Sequence, residues 1–281
     1  MLNIQPFSYH MHTNFSDGRN SLEEMVRCAK QIGFTELGIS DHLIVHKNMK
    51  QDISWPLLKD VNSPHVYNDN FKSILEKFKR HCDDIRRVSK TENFKLYVGF
   101  EVDYFPYDGW EEEFRWFVSQ LDIDYLHTGN HFFCEENFEH IINMTFFKQV
   151  CSDSSRYCEY VRRHFEAMRR AVESRMFKFL AHIDYVRRVG SDVYNIDADF
   201  AEKAQLLDAL QKTDTALEIS TKGLRKIGDF YPSSSILQEA AKRNIAFVIS
   251  DDAHKTEELG LDFDKAEEAL KKYGISKRLK F

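Results

Sequence analysis

Phe7-Ser-Tyr-His10-Met-His12, then Ser21-Leu-Glu-Glu24-Met-Val-Arg-Cys-Ala-Lys-Gln-Ile-Gly33, then Glu36-Leu-Gly-Ile-Ser-Asp41-His42 follow one another at the head of the chain. The first is a short β-prone run ending in two histidines. The second puts Leu22, Met25, Val26, Ala29 and Ile32 on one helical face, opens with the capping box Ser21-x-x-Glu24 and stops at Gly33. The third is again β-prone and ends in an acid and a histidine. Strand, helix and strand in this order predict two parallel strands joined by a right-handed crossover, with polar donors where each strand ends.

The pattern continues. Further short β-prone runs lie at Leu96 to Phe100, Tyr125 to Thr128, Phe179 to His182, Ala216 to Ile219 and Ala246 to Ser250. Between them fall helical stripes: Phe71, Ile74, Leu75, Phe78, Cys82 and Ile85; Trp110, Phe114, Phe117 and Leu121; Tyr157, Tyr160, Val161, Met168 and Val172. Phe200, Ala204, Leu207 and Leu210 make another, as do Ile236, Leu237, Ala240 and Ala241. These stripes are read as core faces. About seven βα units closing on themselves predict an α/β barrel related to the eight-stranded TIM barrel, with ligands at the carboxyl ends of the strands. An open doubly wound sheet is the alternative, and it gathers ligands at the same ends.

Bulk properties narrow the function. At 281 residues and 42% hydrophobic the chain can bury a full core, and residues 1–281 are expected to form one domain. The net charge of −6, with no Lys/Arg-rich stretch, argues against nucleic acid polymers and anionic membranes as partners. No apolar stretch approaches membrane-spanning length and the N-terminus lacks the pattern of a secretion signal, so a cytoplasmic location is expected. Five cysteines without a Cys-x-x-Cys pair read as buried thiols, not as a disulfide or zinc-knuckle framework. Serine-hydrolase elbows, dinucleotide fingerprints and Walker loops are missing. Residues 43–70, with Trp55-Pro56, Ser63-Pro64 and little periodicity, read as a long loop on the face of the site, placed where a lid would be.

The candidate ligands follow from position. His10, His12, His42, His131, His182 and His254 lie at or just beyond strand ends, whereas His46, His65, His81, His127, His140 and His164 do not and are read as structural or solvated. Residues i and i+2 of a strand share a side, so His10 and His12 can face one ion, as can Asp252 and His254 if the backbone stays extended. Glu101 follows the Tyr97-Val-Gly-Phe run, and Asp17 sits in the Ser16-Asp17-Gly18 turn. Mixed imidazole and carboxylate donors suit zinc, iron or manganese better than calcium, and the lack of cysteine donors points away from a closed structural zinc site.

His10-x-His12, Ser40-Asp41-His42, Gly99-Phe-Glu101, Thr128-Gly-Asn-His131, Ala181-His182-Ile-Asp184 and Ser250-Asp251-Asp252-Ala-His254 occur in one order along nearly the whole chain. In this the chain resembles the PHP (polymerase and histidinol phosphatase) family. Phe100-Glu101-Val-Asp103-Tyr104, His182-Ile-Asp-Tyr-Val-Arg187-Arg188 and Glu218-Ile-Ser-Thr-Lys222-Gly-Leu-Arg225-Lys are similar to its histidinol-phosphatase branch. The resemblance implies a distorted seven-stranded barrel holding three divalent metal ions. His10, His12, Glu101 and Asp252 would hold the first, with Glu101 bridging to a second held also by His131 and His182. Asp17, His42 and His254 would hold the third.

The activity so implied is a metal-dependent phosphomonoesterase acting on a small phosphorylated metabolite, L-histidinol phosphate first, by attack of a metal-bridging hydroxide. A nucleotide or another small ester is the alternative. Such esters resist hydrolysis because a dianion repels the nucleophile, so the site must combine positive charge with a ready hydroxide. Glu101, Asp252 and His254 are the candidate catalytic groups, and a metal-bound water, Asp252 or His254 could each donate the proton to the leaving oxygen. Arginine forks match phosphate oxygens in pairs, which singles out Arg225 and Arg187 or Arg188, with Lys222 as a further candidate.

Overall fold

The computed structural model of the chain describes residues 4–58, 66–150, 156–189 and 201–281. Its strands are β1 (Phe7–Ser8), β2 (Glu36–Ile39), β3 (His42–Val45), β4 (Tyr67–Asn68), β5 (Lys95–Val102), β6 (Tyr125–Thr128), β7 (Phe132–Cys134), β8 (Ile141–Asn143), β9 (Phe179–Leu180), β10 (Ala216–Ser220) and β11 (Phe247–Ser250). Its helices are α1 (Leu22–Gln31), α2 (Trp55–Leu58), α3 (Phe71–Thr91), α4 (Trp110–Val118), α5 (Phe147–Val150), α6 (Tyr157–Glu173), α7 (Ala201–Thr213), α8 (Lys222–Ile227), α9 (Ser234–Lys242) and α10 (Phe263–Lys272). No helix among the described residues is long and apolar enough to cross a membrane.

Seven strands run parallel in the order β1-β2-β5-β6-β9-β10-β11, with β3 and β4 branching from β5. First and last strands nearly close the ring. Beyond them Met11 bridges Ala253, His12 N–H donates to the Ala253 carbonyl at 2.8 Å, and lower down Gln5 Nε2 donates to the Phe7 and Ile249 carbonyls, each at 2.8 Å. A side-chain amide thus supplies hydrogen bonds where strand pairing thins out. The barrel and its seven strands agree with the sequence reading. So does α1, whose Ser21 and Glu24 form the reciprocal capping box.

One end of the barrel interior is aromatic. Tyr9, Tyr125 and Phe179 fill it, the Phe281 ring lies 4.5 Å from that of Tyr9, and the Tyr125 hydroxyl donates to the Tyr9 carbonyl at 2.6 Å. Two glycines make room for Tyr125. A Cβ on Gly38 would lie 2.4 Å from its hydroxyl oxygen, and one on Gly99 would lie 2.2 Å from the ring. Gly99→Ala is therefore expected to lower stability by about 1–3 kcal/mol, the usual cost of overpacking, read as a shifted denaturation midpoint.

Several expectations need correction. Residues 43–70 are not a bare loop: β3 continues from His42, β4 pairs with it, and Met49, Leu58 and Val66 are buried. Strands this short take their stability from neighbours and carry no periodic signal of their own. Residues 59–65 of that segment, with Ser63-Pro64 and His65, lie outside the described residues. The β7–β8 hairpin and α10, which buries Phe263, Ala266 and Leu270, went unanticipated. Not every thiol is buried, since Cys158 is exposed on α6 and Cys28 is partly exposed; Cys151 is outside the described residues, as is Phe200.

Candidate metal centre

The polar end of the barrel is assembled where its strands stop. His10 and His12 straddle Met11, whose bridge to Ala253 fixes the backbone between them. Asp17 follows in a turn closed by Ser16 and Gly18 N–H groups on the Thr13 carbonyl, at 3.1 and 3.0 Å. Gly18 is required there, because a Cβ would lie 2.6 Å from the His12 carbonyl oxygen. His42 opens β3, Glu101 lies near the end of β5, and His131, His182 and the Asp252–His254 pair follow β6, β9 and β11. The last segment is not extended: Asp252 has a φ of 47°, a left-handed conformation uncommon outside glycine. That twist still leaves Asp252 facing His10 and His12 while His254 reaches toward Asp17.

Glu101 is the hub. Its Oε2 lies 3.4 Å from both His10 Nε2 and His12 Nε2 and 3.0 Å from His42 Nδ1. Its Oε1 lies 2.7 Å from His182 Nε2 and 3.6 Å from His131 Nε2. Asp252 Oδ1 lies 3.2 Å from His12 Nε2, and the two oxygens of Asp17 lie 3.5 Å from His42 Nε2 and 3.2 Å from His254 Nε2. All nine side chains fall into overlapping groups: His12, Asp17, His42 and His254; His10, His182 and Asp252; His10, His12 and Glu101; His42, Glu101 and His131. Within each group the donor atoms lie within 4.8 Å of one another. His10, His12, His42 and Glu101 each belong to two groups.

The electrostatics are those of buried acids and imidazoles packed against one another. Burial opposes ionisation of Glu101, yet His10, His131 and His42 outweigh it and hold the carboxyl well below its usual range. Asp252 is likewise held well below, against burial, by Lys222 and His10. Burial also opposes protonation of His10 and His42, but the surrounding carboxylates win and raise both well above an ordinary imidazole. By contrast, burial keeps His131 and His254 on the neutral side, with Lys222 adding to the effect at His254. His10 Nε2, both nitrogens of His12, His42 Nδ1, Glu101 Oε2 and Asp252 Oδ1 are buried and make no hydrogen bond. Buried polar atoms normally find partners, so this many orphans aimed at one place fit cations.

Three carboxylates that the sequence reading did not select as functional orient the donors. Glu218 Oε1 accepts from His10 Nδ1 at 2.6 Å and from Ser250 Oγ, while its Oε2 accepts from the His182 N–H at 2.9 Å. Asp103 accepts from His131 Nδ1 and from its backbone N–H. Asp41 ties together the Thr13 N–H, the Thr13 and Ser16 hydroxyls and His81 Nε2, and so holds the turn that carries Asp17. The available signal was period two: Asp103 stands two residues after Glu101, on the same strand side. Glu218→Gln is expected to weaken metal binding about 10–100-fold with little loss of fold, measured by competition with a chelating dye.

Above the cluster opens a cavity of about 600 Å³. Asp17, His42, His131 and His254 form its floor, and Ile44, Tyr67, Asn143, Thr145 and Tyr185 are among its walls. Of the proposed phosphate ligands, Lys222 and Arg188 line it. Lys222 Nζ lies 2.8 Å from Asp252 Oδ2, and Arg188 donates to the Tyr185 hydroxyl. Arg187 instead pairs with Asp229 at 2.7 Å and donates to the Phe230 carbonyl, while Arg225 donates to the Asp251 carbonyl at 2.7 Å. Neither of these two is on the cavity wall. The six remaining histidines divide as follows: His46, His81, His127 and His164 are buried, His140 is exposed, and His65 lies outside the described residues.

Comparisons with known proteins bear on this arrangement. The PHP domain profile matches residues 8–222. A probable histidinol-phosphatase from Deinococcus radiodurans is 24% identical over 269 residues, covering 94% of this chain and 92% of the relative. A probable histidinol-phosphatase from Thermotoga maritima is 24% identical over 270 residues, covering 95% and 91%. Among solved structures, histidinol phosphate phosphatase from Lactococcus lactis, complexed with zinc, L-histidinol and phosphate, superposes with a TM-score of 0.69 at 20% identity. That match covers 99% of this chain and 97% of the other. At such identity it speaks for the shared fold.

Proposed function

The chain belongs to the PHP domain family, and from that membership we propose that it is a metal-dependent phosphomonoesterase acting on a small phosphorylated metabolite. The observation that carries the reading is the set of orphaned, buried imidazole and carboxylate atoms around Glu101 at the floor of an open cavity. His10, His12, Glu101 and Asp252 would hold one divalent ion; Glu101, His131 and His182 a second; Asp17, His42 and His254 a third. Zinc, iron and manganese all accept such donors. When bound, these ions supply Lewis acidity and lower the pKa of coordinated water.

The chain's own groups do the rest. Arg188 and Lys222 orient the phosphate, the guanidinium with paired N–H groups and the ammonium as a point charge. Glu218, Asp103 and Asp41 hold the ligands in place so that little reorganisation accompanies reaction. Asp252, ionised in the resting site, or His254 would take the proton released by the attacking water and pass it to the leaving oxygen. The finer reading, L-histidinol phosphate as the ester, is supported by the two probable histidinol-phosphatases and by the occupants of the Lactococcus structure. A nucleotide or another small ester is the second reading, favoured by the basic side chains around the cavity mouth.

Manganese- or zinc-loaded protein assayed with L-histidinol phosphate, adenosine 3′,5′-bisphosphate and p-nitrophenyl phosphate tests both levels. Chelator-sensitive phosphate release from any of them supports the phosphomonoesterase, and the ranking of kcat/KM decides between substrates. Failure to release phosphate from all three contradicts it.

A further inference from the structure

The mouth of the cavity carries cationic side chains that nothing in the floor requires. Lys222 and Arg188 lie beside the donor cluster, but Arg19, Lys226 and Lys255 also line the cavity. Lys226 stands one helical turn beyond Lys222 on α8, so the two ammonium groups share a helix face. Arg19 follows the Asp17 turn and is fixed there by its backbone N–H on the His254 carbonyl at 2.7 Å. Lys255 follows His254. Three separate segments thus converge on the rim, each tied to a residue of the centre below.

Some cations on this chain are paired with carboxylates and others are not; what distinguishes these is that they converge on one cavity. Lys47 pairs with Glu139, Lys50 with Asp69, Arg86 with Asp122 and Asp124, Arg243 with Asp208 and Glu239, and Lys277 with Asp214. With a net charge of −6 there is no shortage of carboxylates. Yet among the described residues Arg19 and Lys226 have no carboxylate within 4.0 Å, and Lys255 has only Glu258, at 4.0 Å. Glu258 is itself engaged by the His254 N–H at 2.9 Å. Lys226 feels the crowding: burial, then Lys222 and Arg188, push its pKa down. Five cations, Arg19, Arg188, Lys222, Lys226 and Lys255, outnumber the lining carboxylates of Asp17 and Glu258, and an excess of like charge in a concave site attracts an anion from outside.

Resting on the phosphomonoesterase reading, and taking its second substrate reading over L-histidinol phosphate, we propose that the substrate carries a second anionic group, a phosphate or carboxylate, held at the rim by Arg19, Lys226 and Lys255 while the scissile phosphate lies over the floor. L-histidinol phosphate, with an ammonium beside the ester and an imidazole at its far end, brings no second anion to that rim. The shape suits a compact molecule, because a cavity of about 600 Å³ has room for a small metabolite with both groups inside.

The test compares esters that differ in the second charge. Metal-loaded protein is assayed with p-nitrophenyl phosphate, L-histidinol phosphate, 3-phosphoglycerate and adenosine 3′,5′-bisphosphate, as wild type and as Arg19→Gln, Lys226→Gln and Lys226→Glu. The expected result is a kcat/KM at least 10-fold higher for an ester with a second anion, carboxylate or phosphate, than for L-histidinol phosphate. Each variant should lower the ratio of that value to the p-nitrophenyl phosphate value by 5-fold or more, mainly through KM, with Lys226→Glu the largest. A ratio that does not move, or a preference for L-histidinol phosphate, overturns the rim assignment and leaves the phosphomonoesterase standing. Calorimetric binding of the same compounds is measured in parallel. Should no ester be turned over, the proposed function falls, and the rim is still decided by whether the doubly anionic compounds bind more tightly and lose that advantage in the variants.

Discussion

Glu101→Gln is expected to reduce phosphate release by at least about three orders of magnitude, equivalent to ~4 kcal/mol of barrier. The reason is connectivity. One carboxylate lies within 3.6 Å of nitrogens on His10, His12, His42, His131 and His182, so it contacts proposed ligands of all three ion positions. The amide keeps the volume but removes the negative charge and replaces one oxygen with an N–H donor, which cannot ligate a cation. Metal content should fall with activity, while circular dichroism and the denaturation midpoint report that the barrel persists. A variant that retains both its metal and its turnover would remove Glu101 from the centre.

Gly129→Ala is expected to be almost as damaging, although it adds one methyl group and removes nothing. A Cβ at this position would lie 2.3 Å from His182 Cε1 and 2.7 Å from Glu101 Oε1. Both neighbours are buried, and His182 is held by the bond from its backbone N–H to Glu218. The imidazole and the hub carboxylate must therefore move apart by a substantial fraction of an ångström. Displacements of that size in a catalytic constellation cost on the order of 100-fold, so kcat/KM should fall by about that factor. Metal affinity should fall with it, because the displaced atoms are proposed ligands. Wild-type affinity and turnover in this variant would mean that His182 and Glu101 need not approach each other as closely as they do here.

Much of this could be read from the residues. β-prone runs of four or five residues, five of them with histidine at or just beyond the end, identified all seven barrel strands, because burial on both faces leaves a continuous apolar signature. The polar ends stood out for the opposite reason: His10, His12 and Asp252 interrupt or follow runs that are otherwise apolar. What escaped was whatever depends on contact between distant segments. β3 exists by pairing with β5 and β4 by pairing with β3, and the β7–β8 hairpin is only three residues on a side, too short for any period to register. The supporting carboxylates were hidden by their ordinary identities. Nothing in Glu218 taken alone says that it will reach His10 on the first strand. The arginines show the same limit: Arg187 and Arg188 are adjacent, yet one faces Asp229 and the other the cavity. Sequence adjacency does not decide which of two neighbours turns inward.

The central claim is that donors drawn from the whole length of the chain exist to hold cations that perform phosphate-ester hydrolysis. Elemental analysis of the purified protein, combined with phosphate release before and after chelation and after restoration of zinc, iron or manganese, tests it most directly. The expected result is bound divalent metal in at least equimolar amount, activity abolished by the chelator and restored by one of those ions. Full hydrolysis in metal-free protein, or a protein that takes up no divalent ion when supplied with any of the three, would contradict it.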